Sequence, residues 1–273
     1  MRAPLYPSLL LAAAALALAP RSARANPHEL PFSYPYMTLQ QGQFELEESV
    51  DVTPVPTLDD QGLFKWSARA TLTTELEFGI TDRLEGSLYL VLGNTSSQPG
   101  VYDAYRFAGV KERLRYRLFD PNTLPVDISF YGEVEEYVDE LELEGKVNFE
   151  RRLGPVRLLC NLWIAHESYW NGRQEWEANP TLGASYSITP NFSVGIEDWL
   201  HTEFGAVGAG TSASTPFFTT PAYNYIGPTA MFQAGPFWIS AAFYTRVTQW
   251  SQDVQLDDVY GRFWIRTMAG INL

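Results

Sequence analysis

Leu63 to Leu92 reads LFKWSARATLTTELEFGITDRLEGSLYLVL, and its spacing decides the fold. Trp66, Ala68, Ala70, Leu72, Thr74, Leu76 and Phe78 fall on one parity; Arg69, Thr71, Thr73, Glu75 and Glu77 fall on the other. A period of two marks a strand with unlike faces, not a helix. Thr81-Asp82-Arg83 then turns the chain into a second alternating run over 84–92. Two such runs around a tight turn make a hairpin.

The same unit recurs along the chain. Alternating runs are expected over 43–53, 63–79, 84–92, 107–119, 126–137, 141–152, 156–167, 175–188, 192–203, 223–233, 237–248 and 258–272. Every second connection is short: Thr81-Asp82-Arg83, Asp120 to Pro125, Leu153-Gly154-Pro155, Thr189-Pro190-Asn191 and Ala234-Gly235-Pro236. Those between are longer and polar: 54–62, 93–106, 168–174, 204–222 and 249–257. The strands are about twice the length usual in soluble proteins, which suits a tilted crossing of hydrocarbon. Aromatics stand near both ends of apolar faces, as with Trp176 and Tyr186, in the manner of interfacial girdles. The expected fold is all-β: a transmembrane antiparallel β-barrel of about twelve strands, with short periplasmic turns and longer extracellular loops. An even count returns both chain ends to the periplasm.

Ahead of the strands stands a leader. Arg2 opens a basic segment, Leu9 to Ala19 is apolar and too short to span, and Ala23-Arg24-Ala25 is an A-x-A cleavage site. The expected organisation is a signal peptide over 1–25, a periplasmic lead-in over 26–42 and an outer-membrane barrel over 43–273. Removing the leader's three Arg takes the formal charge from −13 to −16. That acidity argues against a nucleic-acid surface. The single Cys160 excludes an internal disulfide.

Several stretches resemble a known family. Leu30 to Glu48 (LPFSYPYMTLQQGQFELEE), Glu77 to Leu90, Ala108 to Glu133, Glu140 to Val156 and Thr181 to Asp198 are similar to outer-membrane proteins assigned as transporters of a phenol meta-degradation pathway. The resemblance implies a barrel channel in the outer membrane of a Gram-negative bacterium. It carries no functional residues with it. The terminal Leu273 departs from the aromatic that ends many such barrels.

Strands four to six hold the richest polar set. Lys111, Arg113, Arg115 and Arg117 share one face, beside Asp127, Glu133 and Glu135 on one neighbour and Glu142 and Glu144 on the next. Cross-strand partners lie about 4.5–5.5 Å apart at Cβ, so basic and acidic ladders stand side by side in the lumen. Such a lattice either compensates buried charge or forms a constriction that selects solutes.

Other motifs are thinner. His166-Glu167-Ser168 is similar to the His-x-Ser-Asn-Gly-Arg segment of outer-membrane phospholipase A, and would need a third group to orient the His. Tyr169 and Trp170 interrupt the segment, and Asn179 falls on the other face unless Pro180 marks a bulge. His28-Glu29 and His201-Thr202-Glu203 could hold a metal, but read as solvated polar surface. Gly205 to Gly210 lacks the Lys of a phosphate loop; with 211–221 it makes a long external loop or an inward plug.

The function expected is a channel or transporter for small solutes, with aromatic or anionic compounds as candidates. A lipid-modifying enzyme built on His166 and Ser168 is one alternative, and a closed structural or adhesion barrel another. No cofactor, metal or catalytic site is expected. The expected partners are outer-membrane lipid and lipopolysaccharide, the outer-membrane assembly machinery and a small solute.

Overall fold

The computed structural model describes residues 26–58, 61–94, 105–248 and 260–273. The leader and the centres of two long connections, 95–104 and 249–259, lie outside the described residues. Thirteen strand segments follow in order: β1 Phe44–Leu58, β2 Phe64–Thr81, β3 Leu84–Gly93, β4 Arg106–Arg117, β5 Asp127–Tyr137, β6 Glu140–Leu153, β7 Val156–Tyr169, β8 Arg173–Ala178, β9 Thr181–Thr189, β10 Phe192–Gly208, β11 Tyr223–Ala234, β12 Phe237–Arg246 and β13 Phe263–Asn272. All neighbours are antiparallel, and β1 pairs β13 from Glu45↔Asn272 to Val52↔Ile265, which closes the sheet. Closure removes the edges that a bilayer could not satisfy.

β8 and β9 are one crossing. Both pair with β7 and β10, and the register is unbroken between them: Thr202 faces Ala178 and Trp199 faces Thr181. The gap falls at Asn179-Pro180, where Pro180 has no N–H for the ladder. The expected run 175–188 is therefore a single strand with a proline interruption, and the barrel has twelve crossings. No bulge at Pro180 re-aims Asn179.

The faces are inside out relative to a soluble protein. Leu88, Leu114, Leu143, Leu162, Ile196 and Phe243 are exposed, while Glu47, Glu77, Glu85, Arg115 and Glu135 are buried. An apolar exterior around a charged interior is stable only where lipid covers the outside. At the short turns, left-handed residues reverse the chain: Gly154 has φ 62° and Asn122, a non-glycine, also has φ 62°.

One difference from the sequence reading shapes everything else. Residues 26–42, expected as a periplasmic lead-in, enter the bore over 26–39, and only Gln40 to Gly42 of the segment are exposed: Leu30 and Tyr36 are buried, and the segment bonds to strands all round the barrel. Its residues are unusually rich in Leu, Phe, Tyr and Pro for a solvated tail, which was the available signal. The loop over 204–222, by contrast, is not the plug. It folds back on β10, with Thr219 donating its N–H to the carbonyl of Glu203 at 3.0 Å.

Candidate functional site

The plug fills the bore near the short-turn end. Asn161 on β7 holds Tyr34 through both backbone groups, accepting from its N–H at 2.7 Å and donating to its carbonyl at 3.1 Å. The N–H of Tyr36 reaches Glu150 at 3.0 Å, that of Leu39 reaches Glu85 at 2.7 Å, and that of Phe32 reaches Glu197 at 3.2 Å. The plug thus satisfies its own backbone with carboxylates and amides from the wall, as buried peptide groups require.

Its apolar residues have shaped sockets. A Cβ on Gly183 would lie 2.5 Å from Leu30 Cδ1, and one on Gly195 would lie 3.0 Å from Leu30 Cδ2. Both glycines face inward opposite the plug, and only a missing side chain leaves room for Leu30. Phe32 stacks on Trp199 at 4.6 Å between ring centres and lies under the Arg266 guanidinium at 4.5 Å. Tyr34 lies 4.3 Å from Lys146 Nζ. Burial holds the His28 imidazole down to about 3, so the ring is neutral at pH 7.

The expected charge ladder lies in the lumen, but it divides. Lys111 turns to β5, 2.6 Å from Glu135 and 3.5 Å from Glu133. Arg113 and Arg115 turn the other way: each lies 2.7 Å from Glu85, and Arg113 also bonds Glu77. Arg115 further donates to the plug carbonyl of Pro35 at 3.3 Å. Arg117 donates to the Asp82 carbonyl at 2.7 Å. Asp127 accepts from the Asn122 N–H at 2.8 Å and so closes its own turn. Glu144 pairs with Lys146 at 2.6 Å. Glu142 borders the wider cavity described below. The lower part of the basic ladder therefore anchors the plug, and only Lys111 faces open space.

Sequence reasoning left Glu75, Glu77, Glu85, Lys146 and Arg157 outside the candidate set. Alternation had placed Glu75 and Glu77 on the lumen face; what it lacked was a reason to prefer them. That reason is the plug. Both His28 and His201, read as solvated, are buried. His201 sits between Glu177 at 3.1 Å and Glu203 at 3.4 Å, stacked on Tyr260.

Among the described residues, two cavities lie in the bore beyond the plug. The wider, about 470 Å³, is lined by Arg69, Tyr137, Glu140, Glu142, Glu167 and Glu177 toward the long-loop end. The narrower, about 210 Å³, lies deeper among Asp51, Glu75, Tyr89, Lys111, Trp264 and Arg266 and ends on Tyr34 of the plug. Thr71, Val91 and Tyr137 line both, so the two are consecutive chambers.

On the outer wall His166 and Ser168 do approach, Nδ1 to Oγ at 3.4 Å, with Trp176 edge-on to the imidazole. Asn179, the nearby amide that would orient the ring, points to the lumen and lies 2.8 Å from His201 Nδ1. A nucleophile, base and orienter are not brought together there.

No family model matches the chain, and no curated protein sequence matches it. The fold does have solved counterparts. An outer membrane channel from Pseudomonas putida F1 superposes with a TM-score of 0.62, at 12% identity over 92% of this chain and 100% of that one. The translocator domain of the autotransporter NalP from Neisseria meningitidis gives 0.48 at 7% identity, over 86% and 90%. LpxR from Salmonella typhimurium gives 0.44 at 8%, over 83% and 99%. The likeness to the Pseudomonas putida barrel establishes the fold, that of an outer-membrane β-barrel.

Proposed function

We propose that the protein is an outer-membrane channel for small solutes, and that residues 26–39 are the element that closes its bore. The observation that carries this is the pair of consecutive chambers ending on Tyr34. A barrel serving structure alone has no need of a lined chamber stopped by a separable segment.

The lining favours a particular kind of solute. A dry cavity of about 150 Å³ accepts benzene, so the inner chamber of about 210 Å³ takes one substituted ring. Tyr89, Tyr137 and Trp264 offer flat apolar faces, while Ser49, Thr71 and Thr73 offer hydroxyls. A monocyclic aromatic with a polar substituent uses both, and this agrees with the resemblance to phenol-pathway transporters. The acids around the outer chamber favour neutral or cationic forms over anions. The bases that line the inner chamber are already engaged: Lys111 by Glu133 and Glu135, and Arg266 by Asp51. An enzyme is not proposed, because the outer-wall His166 and Ser168 lack their orienting partner.

Liposome swelling tests the reading. Vesicles holding the full mature chain should admit an aromatic amino acid faster than a sugar of similar mass, and Gly183→Val should raise both rates. No swelling with either protein, and a silent planar bilayer, would make this a closed barrel.

A further inference from the structure

Two carboxylates face each other across the β1–β2 ladder: Glu45 is directly opposite Glu77, and Glu47 is two residues along on the same face. Like charges opposite one another are destabilising even on an exposed sheet. Here all three are buried, with one oxygen of each within 4.8 Å of the others.

Their surroundings differ in a telling way. Glu45 is held by Trp238 Nε1 and by the Asn26 N–H at 3.3 Å. Glu77 is held by Arg113. Glu47 is 2% exposed, and neither of its oxygens has a hydrogen-bond partner among the described residues. A desolvated carboxylate without donors is costly. Facing it is a different kind of donor, the imidazole of His28 on the plug, with Nε2 at 3.8 Å from Glu47 Oε1. His28 is itself held flat against Trp238 at 5.6 Å.

Acidic residues outnumber basic ones here. Glu45, Glu47, Glu75, Glu77 and Glu85 gather around Arg113 and Arg115. An amino terminus generated before Asn26 would add one positive charge beside Glu45 and still leave the acids in excess. The other two acid clusters among the described residues lack these features. Glu133, Glu135 and Glu144 are met by Lys111 and Lys146. Glu140, Glu142 and Glu167 border the wide chamber and include no imidazole.

We propose that Glu45, Glu47, Glu77 and His28 form a binding site for a first-row divalent transition-metal ion that pins the plug to the barrel wall. Carboxylate oxygens with an imidazole nitrogen suit Zn²⁺ or Mn²⁺; Ca²⁺ prefers an all-oxygen shell. Glu47 also lines the inner chamber, which supplies the path of entry. Three ligands lie on β1 and β2 and the fourth on the plug, so the ion ties the movable segment to the fixed one. The inference rests on where the plug sits, not on what the channel carries.

Metal binding tests it without any transport measurement. The full mature chain, folded in detergent, is stripped with EDTA, dialysed and titrated with Zn²⁺ by calorimetry. Folding of each variant is checked by the migration of unheated samples on gels. The expected result is one equivalent per chain, weakened at least about tenfold in both His28→Ala and Glu47→Gln and unchanged in Glu142→Gln. Bound Zn²⁺ should also slow proteolytic clipping within 26–39, and should fail to do so in His28→Ala. No Zn²⁺ equivalent in the parent, full affinity in folded His28→Ala, or equal affinity for Ca²⁺ would each overturn the proposal.

Discussion

Asn161 treats Tyr34 as a neighbouring strand would: its side-chain amide accepts from the Tyr34 N–H at 2.7 Å and donates to the Tyr34 carbonyl at 3.1 Å. One residue on the wall thereby pairs a whole peptide register of the plug. Removing both bonds should cost about 1 kcal/mol each, about 2 kcal/mol in all, which raises the undocked fraction about 30-fold. Asn161→Ala should show more frequent and longer open events in single-channel recordings, with an unchanged thermal midpoint for the barrel. An unchanged open probability would mean that the plug is held elsewhere.

The glycine socket makes a sharper case. Gly183→Val places methyls where Leu30 sits, so the plug must leave or the wall must bend. Conductance should rise, and Leu30→Ala introduced with Gly183→Val should return it toward the parent value. Failure of the second change to restore closure would separate the effect from Leu30.

The outward face is testable by charge. Leu162 is half exposed on the outer wall, and Leu162→Arg should cost about 2–4 kcal/mol if it sits near the midplane. Thr73→Arg adds the same group to the acid-rich inner chamber and should cost much less. Refolding titrations into lipid vesicles measure both. Equal tolerance would mean that the faces are reversed.

Selectivity follows from the outer chamber. Glu140, Glu142, Glu167 and Glu177 outweigh Arg69 there, so reversal potentials under a KCl gradient should show a preference for K⁺. The double change Glu142→Gln and Glu167→Gln should weaken it. The preference should also fade near 1 M salt, where screening acts over about 3 Å. Firm chloride selectivity in the parent would contradict this assignment of the field.

Much of this architecture was legible in the chain. Period-two alternation identified every crossing, because each strand has lipid on one side and charge on the other, and that contrast is local. Lys111 and Glu135 could be paired on paper for the same reason: they face each other across one ladder. The division of the basic ladder was not legible. Arg113 chooses Glu77 and Glu85 over its register partner Glu133 because the carboxylates of β2 and β3 lie on one side of it and the plug ring of Tyr34 lies 5.5 Å from its guanidinium. That choice depends on a segment with no periodic pattern of its own. His201 was misread for a related reason: its cage of Glu177, Glu203 and Tyr260 is assembled from three separate stretches of sequence.

The seam between β1 and β13 has a consequence for how the molecule is made. The plug immediately precedes β1, yet Glu29 accepts through its carbonyl from Thr229, two hundred residues away. Contacts of such separation cannot form early, since long loops must close before they are rewarded. The plug residues must wait for the last strands, and the sealing of the cylinder around them is a terminal event. Until then the carboxylates of β1, β2 and β3 stand in water, where their mutual repulsion is weak. Enclosure and neutralisation arrive together, so a chain that pairs its strands in the wrong register has no seat for its own beginning.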